Sequence, residues 1–231
     1  MANPLDLEEQ EQLAALRHFW NRWGGLISWA LIVVLTALTA WNGWQFWQRR
    51  QAQAASRLFD EISAAVQADD SARVQRALAD MQKGYGGTVH GAYGGLLAAR
   101  ALAASQPQAA QAALAWVGES APQEGQRALA RLRLAALQLD AKDGAAALKT
   151  LEDNFPPQFA ALAADRRGDA LLQQGKRDDA VREYGRAYQG LTASGDGYRR
   201  MVGIKLNALG IDPAGAGAGA KAAAAADGGA S

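Results

Sequence analysis

The segment between Arg22 and Arg49 reads WGGLISWALIVVLTALTAWNGWQFWQ and carries no charged side chain. Such a stretch leaves few folds open. At about 1.5 Å per residue, a helix from Gly24 to Gly43 covers ~30 Å, the thickness of a bilayer's hydrocarbon core. Trp20 and Trp23 stand at one end and Trp41, Trp44 and Trp47 at the other, where amphipathic indole rings favour the headgroup level. A core helix of a soluble protein would be shorter and flanked by polar caps. A cleaved signal peptide would end in small residues, whereas this run ends in bulky Trp41 and Trp44. The expectation is one uncleaved transmembrane helix over residues 24–47, with Gly24, Leu31, Val34, Leu38 and Gly43 along the span. Arg17 and Arg22 on one flank, against Arg49, Arg50 and Arg57 on the other, do not decide its orientation.

Residues 1–23 read as an amphipathic lead. Asp6 and Glu9 resemble a capping box, and Leu13, Leu16, Trp20 and Trp23 recur at helical spacing. Beyond the span, Ala55, Leu58, Ile62 and Val66 keep one apolar stripe with no Gly or Pro before Asp69, which predicts helix from the span into the soluble part. Asp69, Asp70 and Ser71 offer turn and N-cap chemistry, and Val74, Leu78 and Met81 stripe a second helix ending at Gly84. The run GYGGTVHGAYGG, residues 84–95, lacks a preceding strand pattern, a GK[ST] ending and a spaced acidic partner. It reads as a flexible helix connection rather than a phosphate loop, with His90 in the loop.

From residue 92 the chain repeats a unit of helix, short turn and helix. The clearest copy is ALAADRRGDALLQQGKRDDAVREYGRAYQ, residues 161–189. In it Ala180, Tyr184 and Ala187 follow Gly168 by 12, 16 and 19 positions, the small and aromatic places of a tetratricopeptide repeat. Antiparallel helices approach closely only where a Gly or Ala faces the partner, and an aromatic ring fills the adjoining space. Gln174, Gly175 and Lys176 make the turn. Ala135, Ala147 and Leu151 share the 12 and 16 intervals, as do Ala98, Ala110 and Leu114. A last helix with Met201, Ile204, Leu206 and Leu209 is expected to cover the exposed end. The Ala/Gly-rich residues 211–231 have almost nothing to bury and are expected to be disordered. The expected fold is all-α: a single N-terminal transmembrane helix, then a tetratricopeptide-repeat-like α-solenoid over residues 48–210.

Chemistry is sparse. His18 and His90 lack partners at ligand or triad spacing, and Asp178 and Asp179 beside Arg177 and Arg182 read as a solvated helix face. With no cysteine, thiolate chemistry and cysteine metal sites are excluded. A net charge of +1 supplies no field for nucleic acid. No catalytic, cofactor or metal residues are expected, and no small-molecule substrate. A helical protein-binding surface tethered to a membrane is the expected function.

The lead, the span ending in Trp44, Phe46, Trp47, Arg49 and Arg50, the AYGGLLAA segment, and the RLAALQLDAKDGAAALKTLED and DRRGDALLQQGKRDDA copies together resemble the YfgM family of ancillary SecYEG translocon subunits. The resemblance covers roughly residues 8–210. Arg167 departs from it, standing where a repeat usually carries an apolar residue. The resemblance implies a domain in the periplasm of a bacterial inner membrane, beside the SecYEG translocon. It also implies cooperation with a periplasmic chaperone of the peptidyl-prolyl isomerase type, in the biogenesis of secreted or outer-membrane proteins. The alternative is an envelope scaffold that organises cell-division or cell-wall proteins through the same groove.

Overall fold

A computed structural model describes residues 7–152, 154–191 and 196–213. Among them it contains nine α-helices and no strand: α1 Leu7–Gln67, α2 Ser71–Gln82, α3 Val89–Leu102, α4 Pro107–Ser120, α5 Glu124–Asp140, α6 Gly144–Thr150, α7 Pro157–Gln173, α8 Arg177–Gly190 and α9 Asp196–Ala208. The chain divides into two compact units, Met1–Gln51 and Ala52–Ser231, and the division falls within α1. Asp6 of the capping box and residues 214–231 of the tail lie outside the described residues.

In the first unit α1 is long and apolar enough to cross a membrane, and only 6% of its most apolar stretch is buried. That exposure is the opposite of a soluble protein's core helix. Three of its polar side chains bond back to the helix's own backbone. The Thr36 and Thr39 hydroxyls donate to the carbonyls of Ile32 and Leu35 at 2.8 Å, and Asn42 Nδ2 donates to that of Leu38 at 3.0 Å. Such bonding lets polar side chains sit in hydrocarbon.

In the second unit the helices pair into hairpins, α3 with α4, α5 with α6, and α7 with α8, followed by α9. Ahead of them the end of α1 meets α2 through the Arg73–Glu61 ion pair and a core shared by Ile62, Val74 and Met81. Local chemistry sets the turns. Asp69, Lys142 and Gly175 all take positive φ (54°, 62° and 74°), the left-handed conformation that ends a helix. Each stands seven positions after the small or apolar residue opening its copy: Ile62, Ala135 and Gly168. The next residue caps the following helix in two of the three. Asp70 accepts from the Arg73 N–H and Asp143 from the Ala146 N–H, both at 2.9 Å. Helices α4 and α7 instead start on Pro107 and Pro157, whose fixed φ suits a first turn.

The 12 and 16 intervals mark the core. Ala98, Ala110 and Leu114, and Ala135, Ala147 and Leu151, are all buried. Ile62, Val74 and Leu78 obey the same intervals and are buried too, so the repeat starts one hairpin earlier than residue 92. Burying such side chains stabilises by roughly 1.5–3 kcal/mol for each Leu, Ile or Val.

Two expectations are corrected. The glycine-rich run is a connection only as far as Thr88, which caps α3 by accepting from the Gly91 N–H at 2.9 Å. The rest is helix, because its glycines allow close approach. A Cβ on Gly94 would lie 3.1 Å from Met81 Cε, and one on Gly95 would collide with Val117. His90 accordingly belongs to a helix, with its ring edge-on to Phe59 at 6.2 Å. In α9, Val202 and Leu206 are the fully buried side chains, whereas Met201 and Ile204 are exposed (49% and 62%). Leu206 sits in the core and Leu209, just past the helix, packs against it partly buried, but the helix turns Met201 and Ile204 away.

Candidate protein-binding face

Helix α5 presents two faces, separated by helical periodicity. Arg133 and Leu137 line a groove of about 340 Å3 with Leu96, Ala99 and Arg100 of α3, Ala103 just past its end, and Leu114 of α4. Ala136, Leu139 and Asp140 line a second groove, of about 600 Å3, with Lys142 and with Arg166, Asp169, Leu172 and Gln173 of α7. At the second groove the first helices of neighbouring hairpins, α5 and α7, pack against each other, whereas the first groove opens between α3, α4 and α5.

The grooves differ in electrostatics. In the second, both signs alternate and partly pair: Arg166 meets Asp169 at 3.3 Å, and Gln173 Nε2 donates to the Leu139 carbonyl at 2.9 Å. In the first, the charged residues are Arg100 and Arg133 alone.

Behind the second groove lies a polar cluster that the sequence pattern does not announce. Asp165 is 1% exposed. Its carboxylate accepts from Lys205 Nζ at 2.8 Å and from the Tyr198 hydroxyl at 2.6 Å. One turn on, Asp169 accepts from the Tyr184 hydroxyl at 2.7 Å and from the same Lys205 Nζ at 2.6 Å. One ammonium thus joins two carboxylates of α7 to α9. Burial raises the Tyr184 and Tyr198 hydroxyls above the usual tyrosine range, and their bonds to Asp169 and Asp165 raise them further. Every carboxylate oxygen named here is engaged, so the cluster works as a clasp on α9. The signal in sequence was Lys205 on the apolar stripe of a capping helix, 40 and 36 positions from its partners.

The four repeat positions come together behind this face. Gly168, Ala180, Tyr184 and Ala187 are buried. A Cβ on Gly168 would stand 2.6 Å from the Tyr184 ring, so glycine is what lets the ring lie against α7. Arg167 has a use other than packing. Its Nε and Nη2 donate to the Leu151 carbonyl at 2.9 and 2.5 Å, serving the end of α6, and its guanidinium lies over Phe155. Asp179 pairs with Arg182, while Arg177 Nη2 donates to the Leu209 carbonyl at 2.5 Å and ties the end of α9.

In the first unit Leu31, Val34 and Leu38 are exposed, as are Trp20, Trp23, Trp41, Trp44 and Trp47. The Trp44 and Trp47 rings meet at 5.3 Å. Gly24 is covered by the Trp20 indole, and Gly43 has open space where a side chain would be.

Residues 17–211 match the family model for a tetratricopeptide repeat-like domain. The chain is 27% identical over 208 residues to a Neisseria gonorrhoeae protein named ancillary SecYEG translocon subunit, covering 88% of this chain and 98% of that protein. An Escherichia coli protein of the same name is 44% identical over 57 residues, 25% of this chain and 28% of that one. No solved structure matches. Built of paired helices with small residues at the crossings and matched over most of its length, the chain belongs to the tetratricopeptide repeat-like domain family and, within it, to the YfgM family.

Proposed function

We propose that the chain is a membrane-anchored adaptor ancillary to the Sec translocon. In this reading residues 24–47 span the bacterial inner membrane with their tryptophans at its two surfaces, and residues 48–210 form the binding domain on the periplasmic side. The observation that carries it is the alignment with a protein named ancillary SecYEG translocon subunit over 98% of that protein's length, in a chain whose α1 is long and apolar enough to cross a membrane. The domain binds a periplasmic isomerase-type chaperone, emerging chains, or both, and catalyses nothing itself. Tethering supports this division of labour, because it raises the effective concentration of a weak groove toward millimolar for membrane-bound partners.

Purification of the full chain in mild detergent tests the reading. SecY and a chaperone should co-elute. Recovery of cell-division or cell-wall proteins in their place would establish the scaffold instead. Topology has its own test: protease added to spheroplasts should digest residues 51–231, and full protection would put the domain in the cytoplasm.

A further inference from the structure

Arg100 and Arg133 are exposed and, among the described residues, neither makes an ion pair or a hydrogen bond. They share one groove, whose remaining lining, Leu96, Ala99, Ala103, Leu114 and Leu137, is apolar. Two guanidiniums with no acidic neighbour in the groove are a binding potential in waiting, since a planar fork recognises a carboxylate with two parallel hydrogen bonds. The second groove supplies the contrast within the same molecule, because its cations already have Asp140 and Asp169 beside them.

We propose that the groove between α3, α4 and α5 takes an acidic, apolar peptide segment, with a carboxylate side chain on Arg100 and Arg133 and a neighbouring aliphatic side chain on the leucine floor. This deepens the adaptor reading by naming what the domain holds. Charge complementarity selects the carboxylate. The apolar strip selects a peptide over a free anion, for it continues along α3 through Tyr93 and Val89, both exposed, at three and seven positions before Leu96. A volume of about 340 Å3 is at the small end of ligand sites and suits one or two side chains.

The test uses the full chain in phosphatidylcholine nanodiscs and a short labelled peptide alternating leucine with glutamate, read by fluorescence anisotropy. The glutamate peptide should bind at least about tenfold tighter than its glutamine counterpart, and the preference should shrink with salt. Arg100→Glu combined with Arg133→Glu should abolish that preference and favour the lysine counterpart. Lys142→Glu, the same charge reversal at the second groove, should leave it intact. Should the double variant lose its helical circular dichroism, Arg133→Gln alone still has to weaken the glutamate peptide. Equal binding of the glutamate and glutamine peptides, or equal losses in the Lys142 and arginine variants, overturns the proposal. Displacement of the peptide by lauric acid at equal concentration makes the groove a lipid-anion site and overturns it too. Failure of SecY to co-elute with the wild-type chain sinks the adaptor reading and leaves peptide binding to be judged by anisotropy.

Discussion

The hairpin α3–α4 and the hairpin α7–α8 obey the same intervals but hold together by different chemistry. The first is packed apolar against apolar: Ala98, Ala110, Leu114 and Val117 are buried, and Gly94 and Gly95 let Met81, Ile62 and Val117 close in. The last places a ring where the other has an aliphatic side chain, and then must satisfy that ring's hydroxyl. Tyr184 therefore comes with Asp169, and with it Lys205, Asp165 and Tyr198. An internal repeat is covered on both sides by similar neighbours, while a terminal one has to hold a capping helix. Directional bonds define a docking geometry that methyl groups alone leave loose.

The largest effect should follow removal of the shared ammonium. Lys205→Met leaves Asp165, 1% exposed, without its counter-charge, and breaking a buried pair typically costs about 3–5 kcal/mol. Proteolysis should then begin around α9, while the α3–α4 hairpin keeps its hydrogen-exchange protection. A uniform loss of protection would mean that the two ends form one cooperative unit. If the melting temperature is unchanged, the clasp is dispensable.

Gly168→Leu should come next. A side chain there must displace Tyr184, and overpacking of this kind costs about 1–3 kcal/mol. The damage should spread to α9 through the lost Tyr184–Asp169–Lys205 chain, yet the variant should still fractionate with membranes. Circular dichroism melts equal to wild type would place residue 168 away from the helix crossing.

Alkaline pH sharpens the same contrast. Both hydroxyls are raised above 10.0, the value of an unfolded tyrosine. Their contribution is therefore fully present below pH 10 and is lost as pH climbs beyond it, when the unfolded phenols ionise first. Amide exchange in α8 and α9 should speed up above pH 10 more than in α3 and α4. The double variant Tyr184→Phe, Tyr198→Phe should flatten that difference, and an equal response in both regions would remove the tyrosines as its cause.

The smallest effect lies in the turns. Gly175 takes the left-handed conformation without strain, whereas Lys142 takes it with a side chain (φ 62°). Lys142→Gly should be neutral or stabilise by up to ~1 kcal/mol, and Gly175→Ala should destabilise by a similar amount. Thermal melts that move both variants in the same direction would contradict the shared turn geometry.

Features that depend on near neighbours along the chain are readable without the fold. The uncharged stretch from Gly24 to Gly43, the caps at Asp70 and Asp143, the turn at Gly175 and the intervals of 12, 16 and 19 from Gly168 are all local patterns with a local cause. The Ile62, Val74, Leu78 copy was legible in the same way, although it lies ahead of the point where the pattern becomes conspicuous. Other choices belonged to the tertiary structure. GYGGTVHGAYGG became mostly helix because Ile62, Met81 and Val117, from three other helices, press against its glycines. Arg167 found the open carbonyl of Leu151, 16 positions back, and Lys205 found Asp165 across 40. Which side of α9 is buried was set the same way, with Val202 and Leu206 chosen over Met201 and Ile204. Helical periodicity gives a helix its stripes, but only the shape and unpaired polar groups of the surface it meets decide which stripe faces inward.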